Sequence, residues 1–248
     1  MTLVPNSNIA KRTWTDWVGF LCFSIIAVNL LVRSPQIGLL LLPTLLHEMM
    51  TAVSFIIRCP LRAEQRGLTA RVAAYGGSFI VPLFLEFARR LHSDWIVVSS
   101  HVNLLRLAFV IWFAGAVLGV WAVWHLRTAF SIVPQARQLV TTGPYRFARH
   151  PIYAAYLLQY VGTLLAFASV PFALVLTMWL AFVVVRIHFE ERVLQSSFPK
   201  YERYRANVGV IGLRPFRFSA VNGFLRTIAA LALGTEPSRD NFNRQGER

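Results

Sequence analysis

Acidic residues and cysteines are scarce in this chain, and each scarcity removes a class of function. Asp and Glu number 11 against 25 Lys and Arg in 248 residues, giving a formal net charge of +14. Charged residues make up only 15%, whereas a soluble domain usually carries about 25%. The two cysteines, Cys22 and Cys59, lie in or beside apolar segments and make neither a disulfide framework nor a metal motif. No Cys/His/Asp cluster has metal-ligand spacing, so no metal is expected. There is no internal repeat. No small-residue cleavage site follows the first apolar run, so no cleaved signal peptide is expected.

What the chain does have is apolar length. Hydrophobic residues reach 56%, the mean hydropathy is +0.52, and several windows of roughly 18 or more mostly apolar residues can each cross a bilayer. The reading is an all-α integral membrane protein with five to six transmembrane helices. Five lie at about 14–32, 36–57, 70–87, 103–126 and 152–168, and a sixth at 172–189. The last two are each ~25 Å long and predict a tight helical hairpin turned by Ser169-Val170-Pro171. The excess of cations does not imply nucleic acid as a partner. A nucleic-acid binder gathers its cations on a soluble face, while here they sit between apolar segments. With the N-terminus in the cytoplasm, the outer loops and helix ends hold only Arg33, Arg89, Arg90 and Arg106, and the other 21 of 25 cations face the cytoplasm. That asymmetry is what the positive-inside rule asks for.

Three regions follow: transmembrane helices over 1–125, a polar-motif region over 126–218, and a tail over 219–248. In the tail, 220–233 is expected to form an interfacial helix and 235–248 to be disordered.

Ionisable groups collect in two places. Thr142-Gly143-Pro144-Tyr145-Arg146-Phe147-Ala148-Arg149-His150-Pro151-Ile152-Tyr153 lies between two apolar segments, with a Gly-Pro turn and a proline suited to the first turn of a helix. The helix start offers unpaired amides and a positive dipole end, a seat for a carboxylate, and Arg146 and Arg149 raise the local potential. The plainer alternative is a basic loop that fixes topology. One hairpin later comes Arg186-Ile187-His188-Phe189-Glu190-Glu191. Arg186 and Glu190 share a helix face at i,i+4, and Glu191 points about 100° away. A structural ion pair at the membrane boundary competes here with a site in which a carboxylate holds an amino or hydroxyl group and Arg186 an anion. His47 and Glu48 lie in mid-helix two and Glu86 near the end of helix three, where packing roles compete with function. Trp112, Trp121 and Trp124 read as core or interface aromatics.

In order and spacing, Leu139-Val140-Thr141-Thr142-Gly143-Pro144-Tyr145, then Arg149-His150-Pro151-Ile152-Tyr153, then Glu190-Glu191-Arg192-Val193-Leu194 with Phe198, Tyr201 and Tyr204 resemble the isoprenylcysteine carboxyl methyltransferase family. Phospholipid methyltransferases belong to the same wider group. The resemblance runs from about Trp124 to Pro215. It implies an S-adenosyl-L-methionine-dependent enzyme with a cytoplasmic cofactor pocket and a lipid-like methyl acceptor drawn from the bilayer. By matching positions, the cofactor is expected at Gln138, Leu139, Val140, Tyr145, His150, Pro151, Ile152, Tyr153 and Glu190. Arg186 matches the arginine placed near a substrate carboxylate, so Arg186 and Glu190 are the expected catalytic pair and carboxyl O-methylation is favoured. The alternatives are a phospholipid N-methyltransferase, a reductase of the steroid 5-alpha-reductase type using a nicotinamide cofactor, and a non-catalytic membrane protein or transporter. The Gly-Pro-Tyr lead-in and the tandem glutamates favour methyl transfer over reduction. Polar groups gathered at one membrane face disfavour a transporter, which lines a midplane path.

Overall fold

The computed structural model describes residues 14–33, 38–90 and 100–212. The proposed interfacial helix and tail beyond 219 lie outside them. Among the described residues the chain is built of helices joined by short connections: α1 (Trp14–Arg33), α2 (Gly38–Ile57), α3 (Leu68–Arg90), α4 (Val102–Leu126), α5 (Pro151–Phe167), α6 (Val170–Ser197) and α7 (Tyr201–Asn207). Two short strands, β1 (Ala63–Glu64) and β2 (Gln135–Ala136), pair antiparallel.

Three stretches among the described residues are long and apolar enough to cross a membrane: Leu68–Ala88, Val102–Ala129 and Val170–Ser197. Trp17–Asn29, Leu41–Ile57 and Pro151–Phe167 are shorter apolar helices. The protein is therefore an integral membrane protein. Its large exposed side chains, such as Leu21, Ile25, Leu83, Val110, Val117, Leu174 and Met178, form an apolar exterior that water would not tolerate and lipid does.

The last two helices differ from a symmetric short hairpin. Ala168 takes a left-handed conformation (φ 45°) and closes α5. Ser169 then caps α6, its hydroxyl accepting from the Phe172 amide at 3.3 Å. From there α6 runs 28 residues, past Phe189 and through the glutamates to Ser197. Nor do α5 and α6 mainly pack on each other: α5 runs along α4 and α6 along α3. Small residues decide these partners. Gly115 of α4 lies against the Ala155 carbonyl, and Gly162 of α5 against the Ala108 carbonyl. Any side chain there would collide with main chain, so the two helices approach as closely as membrane helices do at small-residue seams. On the other side Trp179 of α6 donates from Nε1 to the Gly77 carbonyl of α3 at 2.9 Å.

The turns at one end of this bundle are stitched together by main-chain hydrogen bonds. The Cys59 amide donates to the Thr128 carbonyl (2.7 Å), and the Arg149 and His150 amides donate to Gly209 and Val210 (both 2.9 Å). All the polar motifs meet at that end.

Candidate active site

The motif loop is shaped by its first glycine. Gly143 has φ +58°, and a Cβ there would fall inside the ring of His125, so only glycine fits. The chain then makes a tight turn over Gly143–Arg146 and enters α5 with Pro151 at its first position. The amides that the loop was expected to expose are used internally. Tyr145 donates to Thr142, Phe147 and Ala148 to Pro144, and Tyr153 and Ala154 to His150. Since Pro151 has no N–H, at most the Ile152 amide remains at this helix start. A carboxylate seat made of main-chain amides is therefore not what the loop offers; its side chains are.

Those side chains converge on the tandem glutamates of α6. Glu190 Oε1 accepts from the Tyr153 hydroxyl at 2.6 Å and from Arg186 Nε at 3.0 Å, so the i,i+4 pairing of Arg186 with Glu190 is present. Glu190 Oε2 lies 3.5 Å from His150 Nδ1. Glu191, on the adjacent face, meets Arg149 Nη2 at 2.8 Å, His150 Nε2 at 3.4 Å and Arg205 Nε at 3.5 Å. His150 thus stands between both carboxylates and fixes the loop to α6. Arg149 also donates to the Arg205 (2.9 Å) and Val208 (3.1 Å) carbonyls, which brings the α7 cap in. Its role is a clasp rather than a diffuse source of potential. Arg146 instead faces outward, its guanidinium 4.4 Å from the centre of the Phe147 ring.

Arg186 is 5% exposed and its donors are largely committed. Besides Glu190, Nη1 donates to the Ala74 carbonyl (3.3 Å) and Ser78 Oγ (2.9 Å), and Nη2 to the Ser131 carbonyl (3.1 Å). Of five N–H groups, one on Nη2 is left.

Between these groups lies a cavity enclosing, with its mouth, about 1010 Å³. Of the positions singled out in the sequence, Gln138, Leu139, Val140, Tyr145, His150, Ile152, Tyr153, Arg186 and Glu190 all line it. Pro151 does not; it is buried in the first turn of α5. Sequence reasoning missed the contribution of the first half of the chain, where Phe23 of α1 and Gly77 and Ser78 of α3 complete the wall. It also missed Phe130, Ser131 and Tyr156. Tyr156 carried a readable signal, since it follows Tyr153 by one helical step of three.

The lining is rich in phenols. Burial, followed by the nearby Glu190 carboxylate, pushes Tyr145 well above its ordinary value. Burial does the same to Tyr204, so these rings stay neutral hydrogen-bond donors and apolar walls at any working pH. The Tyr201 hydroxyl is buried without a hydrogen-bond partner among the described residues. Gln138 is oriented at the rim, its Oε1 accepting from Thr128 Oγ1 at 3.3 Å. Below it, Arg137 donates to the Cys59 carbonyl and to Gln135 Oε1, which holds the strand pair under the cavity. Burial lowers the Arg137 guanidinium to about 10, with Cys59 and Glu64 opposing the shift.

With this geometry in place, comparison with known proteins gives one match. The phospholipid methyltransferase family model matches residues 103–201, from the start of α4 to the first residue of α7. This lies in the wider phospholipid/isoprenylcysteine membrane methyltransferase group that the motifs resemble. No curated protein matches the chain.

Proposed function

We propose that the protein is an S-adenosylmethionine-dependent membrane methyltransferase acting on a lipid-like acceptor, with the cofactor in the cavity above. The observation that carries this reading is Glu190. It is a carboxylate held by Tyr153 and Arg186 with Oε2 turned to His150, on the wall of a cavity inside the family-matched region.

The residues present fit such a cofactor. Glu190 suits an ammonium or a pair of ribose hydroxyls. The phenol and phenyl rings of Tyr145, Tyr153, Tyr156 and Phe130 suit an adenine and a sulfonium cation. Leu139, Val140 and Ile152 supply apolar contact, and the Tyr201 hydroxyl, without a hydrogen-bond partner among the described residues, could bond to the cofactor. S-adenosylmethionine, when bound, supplies a methyl group on a cationic sulfur, ready for direct attack by a nucleophile. What the chain itself contributes is position and dryness. The aromatic rings lining the cavity would displace water from around a bound cofactor, and pairing with Tyr153 and Arg186 fixes Glu190, so orientation and desolvation would supply most of the effect. The asymmetry of Lys and Arg along the sequence supports a cytoplasmic mouth for this cavity.

For the acceptor, a carboxylate has one free Arg186 N–H to rest on, too few for a two-point clamp. An amine acceptor is therefore the reading that the committed donors of Arg186 and the phospholipid methyltransferase match favour over carboxyl O-methylation.

The test is calorimetric binding of S-adenosylhomocysteine to detergent-purified protein, with NADPH in parallel. Micromolar binding of the former alone is expected. Binding of NADPH alone would move the protein to the reductases, and binding of neither would remove the enzyme reading.

A further inference from the structure

One face of α2 carries Thr44, His47, Glu48 and Thr51, spaced i, i+3, i+4 and i+7 so that they form a single stripe. The stripe points into the bundle: His47 is 1% exposed, Thr51 0% and Glu48 9%. Both ring nitrogens of His47, Oε2 of Glu48 and the hydroxyls of Thr44 and Thr51 have no hydrogen-bond partner among the described residues. Glu48 Oε1 lies 3.6 Å from His47 Nδ1. Ser54, one turn on, shows how a helix ordinarily disposes of a buried hydroxyl: its Oγ donates to the Met50 carbonyl at 2.8 Å. The stripe does not do this. Intramembrane polar groups are expensive and persist where they pair or function.

Its surroundings tie it to the cavity. Gly119 of α4 lies against the His47 imidazole, where a Cβ would come within 3.3 Å of the ring. Tyr156 of α5 meets the same ring edge to face, centroids 5.3 Å apart, and Tyr156 also lines the cavity. The stripe therefore adjoins the proposed active site through Tyr156. It lies outside the family-matched residues 103–201.

The chemistry of the stripe selects an occupant. A carboxyl group seeks N–H or O–H donors, an imidazole offers one acceptor and one donor, and an aromatic ring face favours a cation. A carboxylate or phosphate would meet Glu48 with the wrong charge. We propose that Thr44, His47, Glu48 and Thr51 form a recognition subsite for the amine-bearing head of the acceptor lipid, adjoining the cofactor cavity at Tyr156, so that the amine drawn to the stripe is delivered to the side of the cavity where the methyl donor sits. This rests on the amine-acceptor reading above.

The experiment uses purified full-length protein without cofactor, titrated with a long-chain primary alkylamine and with the fatty acid of equal length, and read by native mass spectrometry. The amine is expected to bind at least tenfold more tightly. Glu48→Gln should abolish that preference and His47→Asn should reduce it, both with S-adenosylhomocysteine binding unchanged. Equal binding of amine and acid by the native protein, or a preference that survives Glu48→Gln, would overturn the subsite. Should Glu48→Gln not fold, the native protein's preference and its loss in Thr51→Val decide the matter. Failure of S-adenosylhomocysteine to bind the native protein would sink the cofactor reading instead, and the amine preference would stand or fall separately.

Discussion

Two polar regions sit inside this bundle, and they are finished to different degrees. Around α6 nearly every charged atom is spoken for: Glu190 by Tyr153 and Arg186, Glu191 by Arg149, His150 and Arg205, and Arg186 by two carbonyls and a serine. Along α2, five polar atoms within eight residues have no hydrogen-bond partner among the described residues. A satisfied network is scaffold: it holds a shape whether or not a ligand is bound. An unsatisfied one is a demand, and the molecule is more stable once something polar answers it. The contrast separates a network that holds its own shape from one that we propose takes up a ligand.

Breaking the finished region should do the most damage. Arg149→Ala removes the nearest of three partners from the largely buried Glu191 and frees the Arg205 and Val208 carbonyls. A loss of about 3–5 kcal/mol is expected for a broken buried pair, visible as a large fall in the thermal unfolding midpoint. A surface-like loss below 1 kcal/mol would show that the clasp is ornamental. Next comes the seam that aligns the two regions. Gly115→Leu forces a side chain into the Ala155 carbonyl and should cost about 1–3 kcal/mol as an overpacked contact, measured the same way.

Glu190→Gln keeps the shape but removes the charge. It should weaken S-adenosylhomocysteine by about tenfold, or about 1.4 kcal/mol, with the protein still folded. Unchanged affinity would place the cofactor elsewhere. The smallest effect belongs to Tyr201→Phe, which deletes a hydroxyl without a partner. Stability should stay within about 0.5 kcal/mol while affinity for the cofactor product falls severalfold. An unchanged affinity would mean that the hydroxyl serves no ligand.

Much of this was legible from residue spacing. The apolar runs gave the helices, because a bilayer demands length and composition that little else explains. The four-residue interval from Arg186 to Glu190 fixed their pairing, since a helix leaves no other geometry. Tyr145 of the Gly-Pro-Tyr turn and Arg149, His150, Ile152 and Tyr153 of the next motif line one cavity, while Gly143, Pro144 and Pro151 shape the backbone that presents them.

What escaped is equally specific. The polar Glu190-Glu191-Arg192 looks like a helix end by hydropathy, yet α6 continues because Arg149, His150 and Arg205 neutralise that turn. The turn read at Ser169-Val170-Pro171 suggested that α5 and α6 pack together. The partners are instead chosen by Gly115 and Gly162, whose complementarity no local pattern displays. The amides of the motif loop seemed free because nothing in the sequence says that Gly209 and Val210 will arrive to pair with Arg149 and His150.

The docking of Arg186 on the Ala74 carbonyl and Ser78 hydroxyl bears on how this chain can be rearranged. The matched stretch 103–201 holds the recognisable signature but not the whole chamber, because Phe23, Gly77 and Ser78 come from helices that precede it. Transplanted into a relative without its own α3, the stretch would carry a guanidinium with two of its anchors missing. Chimeras built from this chain should therefore exchange α3 and α6 as a pair, and a junction drawn at residue 102 should fail where one drawn before Leu68 succeeds.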